Sequence, residues 1–403
     1  MAATDHASIK AMLALATTSL LGDAATAQTF ANDWKTNITY LDYRERDRVT
    51  VQSYIANIRG QINDDAIIQV GVALDTMSGA TPTGAIDGSS VVTSTGTSGG
   101  GFDVSGQGTA YAQFSDTRLS VDTNWEQTYT RNFRVAYGGY ASVESDFTAL
   151  GGSLKASLDL NNRQTTVSLG GGFEADTNAK RDGFTPEPLS NVDDAIFYDA
   201  GRRNTFSSLV GITQVVNRTT VAQLNLTYTH SLGYHTDPYK VFSQANEGVE
   251  QERYYEGRPD ERRRTAVYSS LRQRQSGGNI LGGSARWYMD DWGVNSLTVD
   301  GSYRILLGGS GGRYFEPFAR VHAQTAADFY LHALEPGADM PDFASADSRL
   351  GQMQSYSAGV RLNVPIADWG NLLPRISYYH QEFQDATHER NQAIIISVGL
   401  ENR

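Results

Sequence analysis

Cysteine is absent from the 403 residues, which removes disulfide scaffolds, thiolate metal sites and cysteine nucleophiles together. Proline is scarce, at 10 residues, and nothing along the chain reads as a linker between separately packed cores. One large domain is the expectation. Basic residues are in deficit, 33 Lys and Arg against 45 Asp and Glu, for a net charge of −12. Neutralising phosphates requires the opposite balance, so a nucleic-acid partner is disfavoured. Long apolar runs are missing too. A membrane-crossing helix needs about 20 apolar residues, and the longest run here is Ala11 to Gly22. Lys10 precedes it and Ala25-Thr26-Ala27 follows, the pattern of a secretory signal. Residues 1–27 are therefore read as a signal peptide and 28–403 as the mature domain, with Gln28 its first residue.

Glycine (40), tyrosine (21) and phenylalanine (15) are plentiful, and from Trp34 onward apolar residues recur at every second position. That is the period of a strand with two unlike faces. Leu119, Val121 and Trp125 alternate with Arg118, Ser120, Asp122, Asn124 and Glu126. Leu297, Val299, Tyr303 and Ile305 alternate with Thr298, Asp300, Ser302 and Arg304. Strands of globular sandwiches average about 5 to 6 residues. Strands of about 9 to 11 residues suit a tilted crossing of a bilayer, lipid on one face and lumen on the other. Such runs fall at 34–43, 48–58, 65–75, 117–127, 132–144, 147–160, 164–177 and 205–217 in the first half. The second half holds 219–232, 264–275, 279–290, 294–306, 313–327, 353–364, 371–384 and 391–401.

The fold expected is all-β: a transmembrane antiparallel up-and-down barrel of about 16 strands, with 14 as the alternative where alternation is weak. Long connections, 76–116, 178–204, 233–263 and 328–352, fall on one side and short turns on the other. Long outer loops over short periplasmic turns are the asymmetry of outer-membrane barrels. This polarity predicts a Gram-negative outer-membrane location with both termini periplasmic. Outer-membrane lipid, lipopolysaccharide and the barrel-insertion machinery are the partners expected, and no cofactor is called for. Pro317, inside a strand, predicts a bulge or an early strand end.

Several stretches resemble a family of Gram-negative outer-membrane proteins catalogued as domain of unknown function 3570. They include Leu74-Asp75 with Ser78-Gly79-Ala80-Thr81-Pro82, Asp116-Thr117-Arg118, Thr236-Asp237-Pro238-Tyr239-Lys240 and Arg258-Pro259-Asp260-Glu261-Arg262. Further on come Asp290-Asp291-Trp292-Gly293, Ala326-Ala327-Asp328-Phe329-Tyr330 and Ser345-Ala346-Asp347 with Arg349-Leu350-Gly351. The resemblance implies an outer-membrane barrel without an established activity. It also implies company with envelope redox machinery, a small lipoprotein among it. The C-terminal Leu400-Glu401-Asn402-Arg403 departs from the aromatic ending common in such barrels.

Alternation assigns Arg118, Asp122, Glu126, Arg134, Glu144, Lys155, Asp159, Arg286, Asp290, Asp300, Arg304, Glu316, Arg320, His322, Arg361 and Arg375 to the lumen. They either set the field of a water-filled pore or pair across strands and solvate the wall. Asp237, Arg258, Asp260 and Arg262 belong to an Arg- and acid-rich outer segment, read either as a structured lid or as a solvated surface network. Acidic groups at Glu187, Asp193 and Asp194, at Asp290 and Asp291, and at Asp339, Asp342 and Asp347 are candidate Ca²⁺ donors, though without EF-hand spacing. Trp34, Tyr40, Trp125, Tyr140, Trp287, Tyr288, Trp292, Tyr356, Trp369, Tyr378 and Tyr379 are expected in interfacial belts. Histidines share no metal-ligand spacing, and neither a phosphate loop nor a nucleophile elbow is present. No enzyme is expected. Three readings stand: a channel for small solutes or ions, a plugged barrel in an envelope assembly, and an outer-membrane enzyme for which the sequence offers no catalytic cluster.

Overall fold

The computed structural model describes residues 34–46, 48–85, 92–94, 102–104, 111–180, 182–308, 312–366 and 369–402. The expected signal segment lies outside them. Sixteen strands close one antiparallel barrel, each paired with its neighbours in chain order and the first with the last. They are β1 (Lys35–Glu45), β2 (Val49–Asn63), β3 (Ala66–Pro82), β4 (Tyr111–Thr130), β5 (Phe133–Val143), β6 (Phe147–Leu160), β7 (Thr165–Asn178) and β8 (Gly201–Asn217). The circuit continues with β9 (Thr220–Gly233), β10 (Glu261–Arg274), β11 (Ile280–Asp290), β12 (Asn295–Leu306), β13 (Tyr314–Gln324), β14 (Met353–Ile366), β15 (Gly370–Phe383) and β16 (Arg390–Glu401). Sixteen strands stand and fourteen do not.

Alternation sets which face each side chain takes. Leu154 on the outer face is 50% exposed, while Lys155, the next residue, points inward and is 4% exposed. Leu150, Leu169, Val321 and Ile376 likewise stand on the outside. An apolar exterior around a polar interior inverts a water-soluble protein and matches a barrel that crosses lipid. Closure leaves no strand edge whose amides must face hydrocarbon. Trp34, Trp125, Trp287, Tyr356, Trp369 and Tyr378 are exposed on the outer surface, as an interfacial belt requires. Tyr140, Tyr288 and Tyr379, by contrast, share the inward register of Asp122, Arg286 and Arg375. Trp292 lies in the turn after β11 and is buried at 3% exposure.

Pro317 neither bulges nor ends β13. It stays paired opposite Val360 on β14, and only the ladder toward β12 lapses around it, in unchanged register. The lost amide hydrogen bond is absorbed on one side of the strand. Within the barrel wall the register shifts, at Gln61/Asn63, Thr128/Thr130 and Val215/Asn217, flank short turns of the same rim. At the turn after β6, Asn161, Asn162 and Arg163 all take positive φ, between 50° and 66°. Asparagine tolerates this region better than most residues.

Candidate functional site

The long connections fold over the barrel's other rim. Residues Val241–Asn246 and Val249–Tyr255 form a hairpin, joined in parallel by Ala333–Leu334 from the connection after β13. Single bridges tie Asn191 to Tyr254, Gly257 to Ala344 and Tyr330 to Ser345. The Val241 amide donates to the Thr83 carbonyl at 3.1 Å, and the Lys240 ammonium donates to the Pro82 carbonyl. Thr387 Oγ1 reaches the Ala85 carbonyl at 3.2 Å. Pro82 ends β3 and residue 240 follows β9, six strands away in a ring of sixteen. The connections therefore meet across the mouth as a folded lid.

Its centre is a buried ionic cluster. Arg349 Nε donates to both Asp347 oxygens at 2.8 and 2.7 Å, and its Nη2 to Asp237 Oδ2 at 3.0 Å. Arg258 contacts Glu256 at 2.6 Å and Asp347 at 2.9 Å. Glu256, wholly buried, also accepts from the Asp237 amide at 2.7 Å and from the Ser345 hydroxyl. With Lys240, three cations face three acids. Burial opposes charge at Asp237 and Asp347, but Arg349, Lys240 and Arg258 outweigh it and hold both carboxyls below their ordinary range. At Glu256 burial wins, and the carboxyl is raised despite Arg258.

Asp237 and Arg258, expected in an outer loop, both belong to this cluster. Arg262 instead turns to Asp290, at 2.6 Å, and lies 4.1 Å over the Trp292 ring. Asp260 is exposed and contributes its backbone carbonyl to the Gly233 amide. Asp290 also accepts from the Tyr288 hydroxyl and from the amides of Trp292 and Val294, so it caps the β11–β12 turn. That packing carries Trp292 inward against His235 and Phe329, away from a lipid belt.

Below the lid the wall carries two signs on opposite sides. On β4 to β7 stand Asp122, Glu126, Asp159, Glu174 and Asp176, with Arg118, Arg134 and Lys155 among them. Arg118 donates to Asp75 at 2.7 Å, and Arg134 to Asp159 at 2.8 Å. On β10 to β15 stand Arg264, Arg286, Arg304, Arg320, Arg361 and Arg375, with Asp300 and Glu316. Glu316 is clasped by Arg304 at 2.6 Å and Arg361 at 2.8 Å, and Asp300 holds Arg320 at 2.6 Å. His322 shares a 2.8 Å hydrogen bond with Thr298. Arg361 and Arg375 are direct cross-strand partners, and both stack on Phe318, at 4.3 and 4.7 Å. Opposed like charges destabilise a sheet. Among the described residues neither Arg286 nor Arg375 has an acidic partner. Arg320 points inward yet its side chain stays 58% exposed, so the lumen beside it is not filled by other side chains.

A third group was not foreseen. Asp116 near the lid end of β4 and Glu144 and Asp146 of the β5–β6 turn gather their carboxylates within 4.8 Å of one another. Glu144, assigned to the wall by alternation, lies just past the end of β5, outside it. Burial, helped by Asp116 and Asp75 and opposed by Arg118, pushes its carboxyl up to about 7. Burial and then Asp116 and Glu144 push Asp146 up to about 8. The signal was legible: Asp116 continues the inward phase of Arg118 by one more step, and Glu144 and Asp146 flank a single serine in a tight turn. Of the acidic residues proposed from sequence, Asp347 is taken up by Arg349 and Arg258 and Asp290 by Arg262 and its turn.

Among curated proteins none matches this sequence. Among solved structures, a bacterial polysaccharide outer membrane secretin aligns over 93% of this chain and 100% of its own, at 10% identity and a TM-score of 0.46. OprB of Pseudomonas putida aligns over 96% of each chain at 9% identity and 0.44. A mutant ferric enterobactin receptor of Pseudomonas aeruginosa aligns over 89% of this chain at 8% identity and 0.42, and this chain spans 54% of that receptor. Likenesses this weak say nothing of what this barrel carries. The family model described as a protein of unknown function (DUF3570) matches residues 10–396, and the chain belongs to that family.

Proposed function

We propose that this barrel is an outer-membrane channel for small charged or dipolar solutes, closed at its outer mouth by the folded lid. The observation that carries the reading is the lumen itself. Acids crowd β4 to β7 and arginines β10 to β15, about half a turn of the ring apart, and the inward Arg320 remains 58% exposed. A barrel of sixteen strands is wide enough for water to pass, and charges on facing walls orient a dipole crossing between them. An opposed pair such as Arg361 and Arg375 is a liability for stability alone. In this reading the lid side faces outward, both termini are periplasmic, and the apolar belt sits among outer-membrane lipid and lipopolysaccharide.

The lid favours a second reading, a shut barrel that anchors an envelope assembly. Single-channel recording in planar bilayers separates the two. Wild type is expected to give stepwise current with a low open fraction. Arg349→Met removes the guanidinium from Asp237 and leaves Asp347 to Arg258 alone, and it should loosen the lid by about 3–5 kcal/mol, raising the open fraction. Folded, inserted protein silent in both forms sinks the channel and leaves the anchor.

A further inference from the structure

Asp116, Glu144 and Asp146 face one another with one oxygen of each within 4.8 Å of the rest. The cation beside them, Arg118, is already engaged by Asp75 at 2.7 Å. The lid's own ionic cluster balances its charges; this group does not. Asp146 adds an observation of a different kind. Its side chain is 6% exposed, and neither carboxylate oxygen accepts a hydrogen bond. Asp116, equally buried, receives the Ser145 hydroxyl on Oδ1 at 2.8 Å and nothing on Oδ2. Tyr239, from the lid, turns its phenol toward Asp146 and favours the charged carboxyl there. Buried carboxylate oxygens lacking donors are costly, and these aim at one shared point.

The donor set identifies what fits there. It consists of oxygen atoms alone, with neither histidine nor cysteine, which suits a hard divalent cation over zinc or copper. Three oxygens within 4.8 Å of one another share a point no farther than about 2.8 Å from each, so a calcium ion with oxygen distances of about 2.3–2.6 Å reaches all three after a shift of a few tenths of an ångström. Magnesium, with bonds of about 2.1 Å and strict octahedral demands, fits less well. We propose that Asp116, Glu144 and Asp146 bind one Ca²⁺ at the outer rim, fastening the β5–β6 turn and the Tyr239 segment of the lid to the β4 wall. Water completes the coordination shell on the side of half-buried Glu144.

The test uses the whole chain, refolded in detergent without lipopolysaccharide and stripped with a chelator, with CaCl₂ as the probe. Calorimetric titration should show one ion per chain with a dissociation constant of roughly 10⁻⁴ to 10⁻³ M, the range of extracellular modules. The thermal midpoint should rise with calcium. Asp146→Asn removes a carboxyl that burial and its acidic neighbours keep from ionising, so its calcium-free form should melt at or above wild type, while its calcium affinity falls at least about tenfold. Replacing the exposed Asp193 by Asn should change neither. The proposal is overturned if wild type binds no calcium, with protons neutralising the cluster instead, or if Asp146→Asn binds as tightly as wild type. A response to MgCl₂ alone overturns the assignment to calcium.

Discussion

Lys180 follows β7 at the lid rim and shows how one side chain tunes stability there. Its ammonium donates to the Tyr255 hydroxyl at 2.8 Å and lies 4.5 and 5.3 Å from the Tyr255 and Phe197 ring centres. Burial outweighs the attraction of Asp182 and Asp237, the charged groups that face it, and lowers its pKa from 10.5 to about 8. Between those values the unfolded chain binds more protons than the folded one, so stability rises with pH there. The penalty of the buried charge is full below about pH 8 and fades toward 10.5. Lys180→Met keeps the stem against the rings and discards the charge. The variant should be more stable at pH 7, and its advantage over wild type should shrink by pH 9.5, below most tyrosine ionisation. An advantage constant across that range, in denaturant unfolding, would mean that the lysine is not desolvated. Residues of this kind escape sequence reading because their environment comes from distant segments. Arg349 is another case: its partners Asp347 and Asp237 are 2 and 112 positions away, and no local pattern marks the second as its acceptor.

Strand identity was legible because one period repeats sixteen times, and each repeat separates a lipid face from a water face. The bounds read from sequence for β6, 147–160, coincide with the strand, while β4 runs 111–130 against an expected 117–127. The sequence reading assigned Asp116 to the 76–116 connection and so did not use its inward phase, which is why the acidic cluster was missed. Where strands meet the lid, backbone geometry adds a constraint that alternation does not carry. Gly233 closes β9 at φ 114°, and a Cβ there would lie 2.2 Å from the Arg202 carbonyl oxygen of β8. That carbonyl accepts the Tyr234 amide at 2.9 Å, and the Gly233 amide donates to Asp260. The crossing from wall to lid is thus fixed at this residue. Gly233→Val combines backbone strain of about 1–3 kcal/mol with a clash against main chain that cannot step aside. It should lower the yield of compact barrel on refolding, seen as loss of the fast band on unheated gels. Gly301→Ala, whose added Cβ meets open space, should refold like wild type. Equal yields from both would show that the lid entry tolerates a shift of β8 against β9.

At the scale of the whole barrel, the segregation of charge makes a prediction that no single residue makes. Arg286 and Arg375 are the cations whose removal strands no acid, since neither has an acidic partner among the described residues. Asp122, on the opposite wall, is exposed to the lumen. A unit charge acts on an ion 10 Å away in water with about 0.4 kcal/mol. Loss of both arginines is therefore worth roughly a fourfold gain for a monovalent cation and a fourfold loss for a monovalent anion, moving the permeability ratio toward cations. Asp122→Asn should move the ratio the other way by about half as much on the energy scale. The reversal potential across a salt gradient measures both. Because the Debye length contracts from about 10 Å at 0.1 M salt to about 3 Å at 1 M, the shifts should be clear in dilute solution and nearly vanish in concentrated solution. Substitutions at the lid, such as Arg349→Met, should alter how often the channel opens and leave the ratio where it was. If the Arg286→Gln, Arg375→Gln variant and Asp122→Asn both keep the wild-type reversal potential in dilute salt, ions do not pass between these walls. The arginine face would then serve the barrel's interior packing or a bound partner, and not permeation.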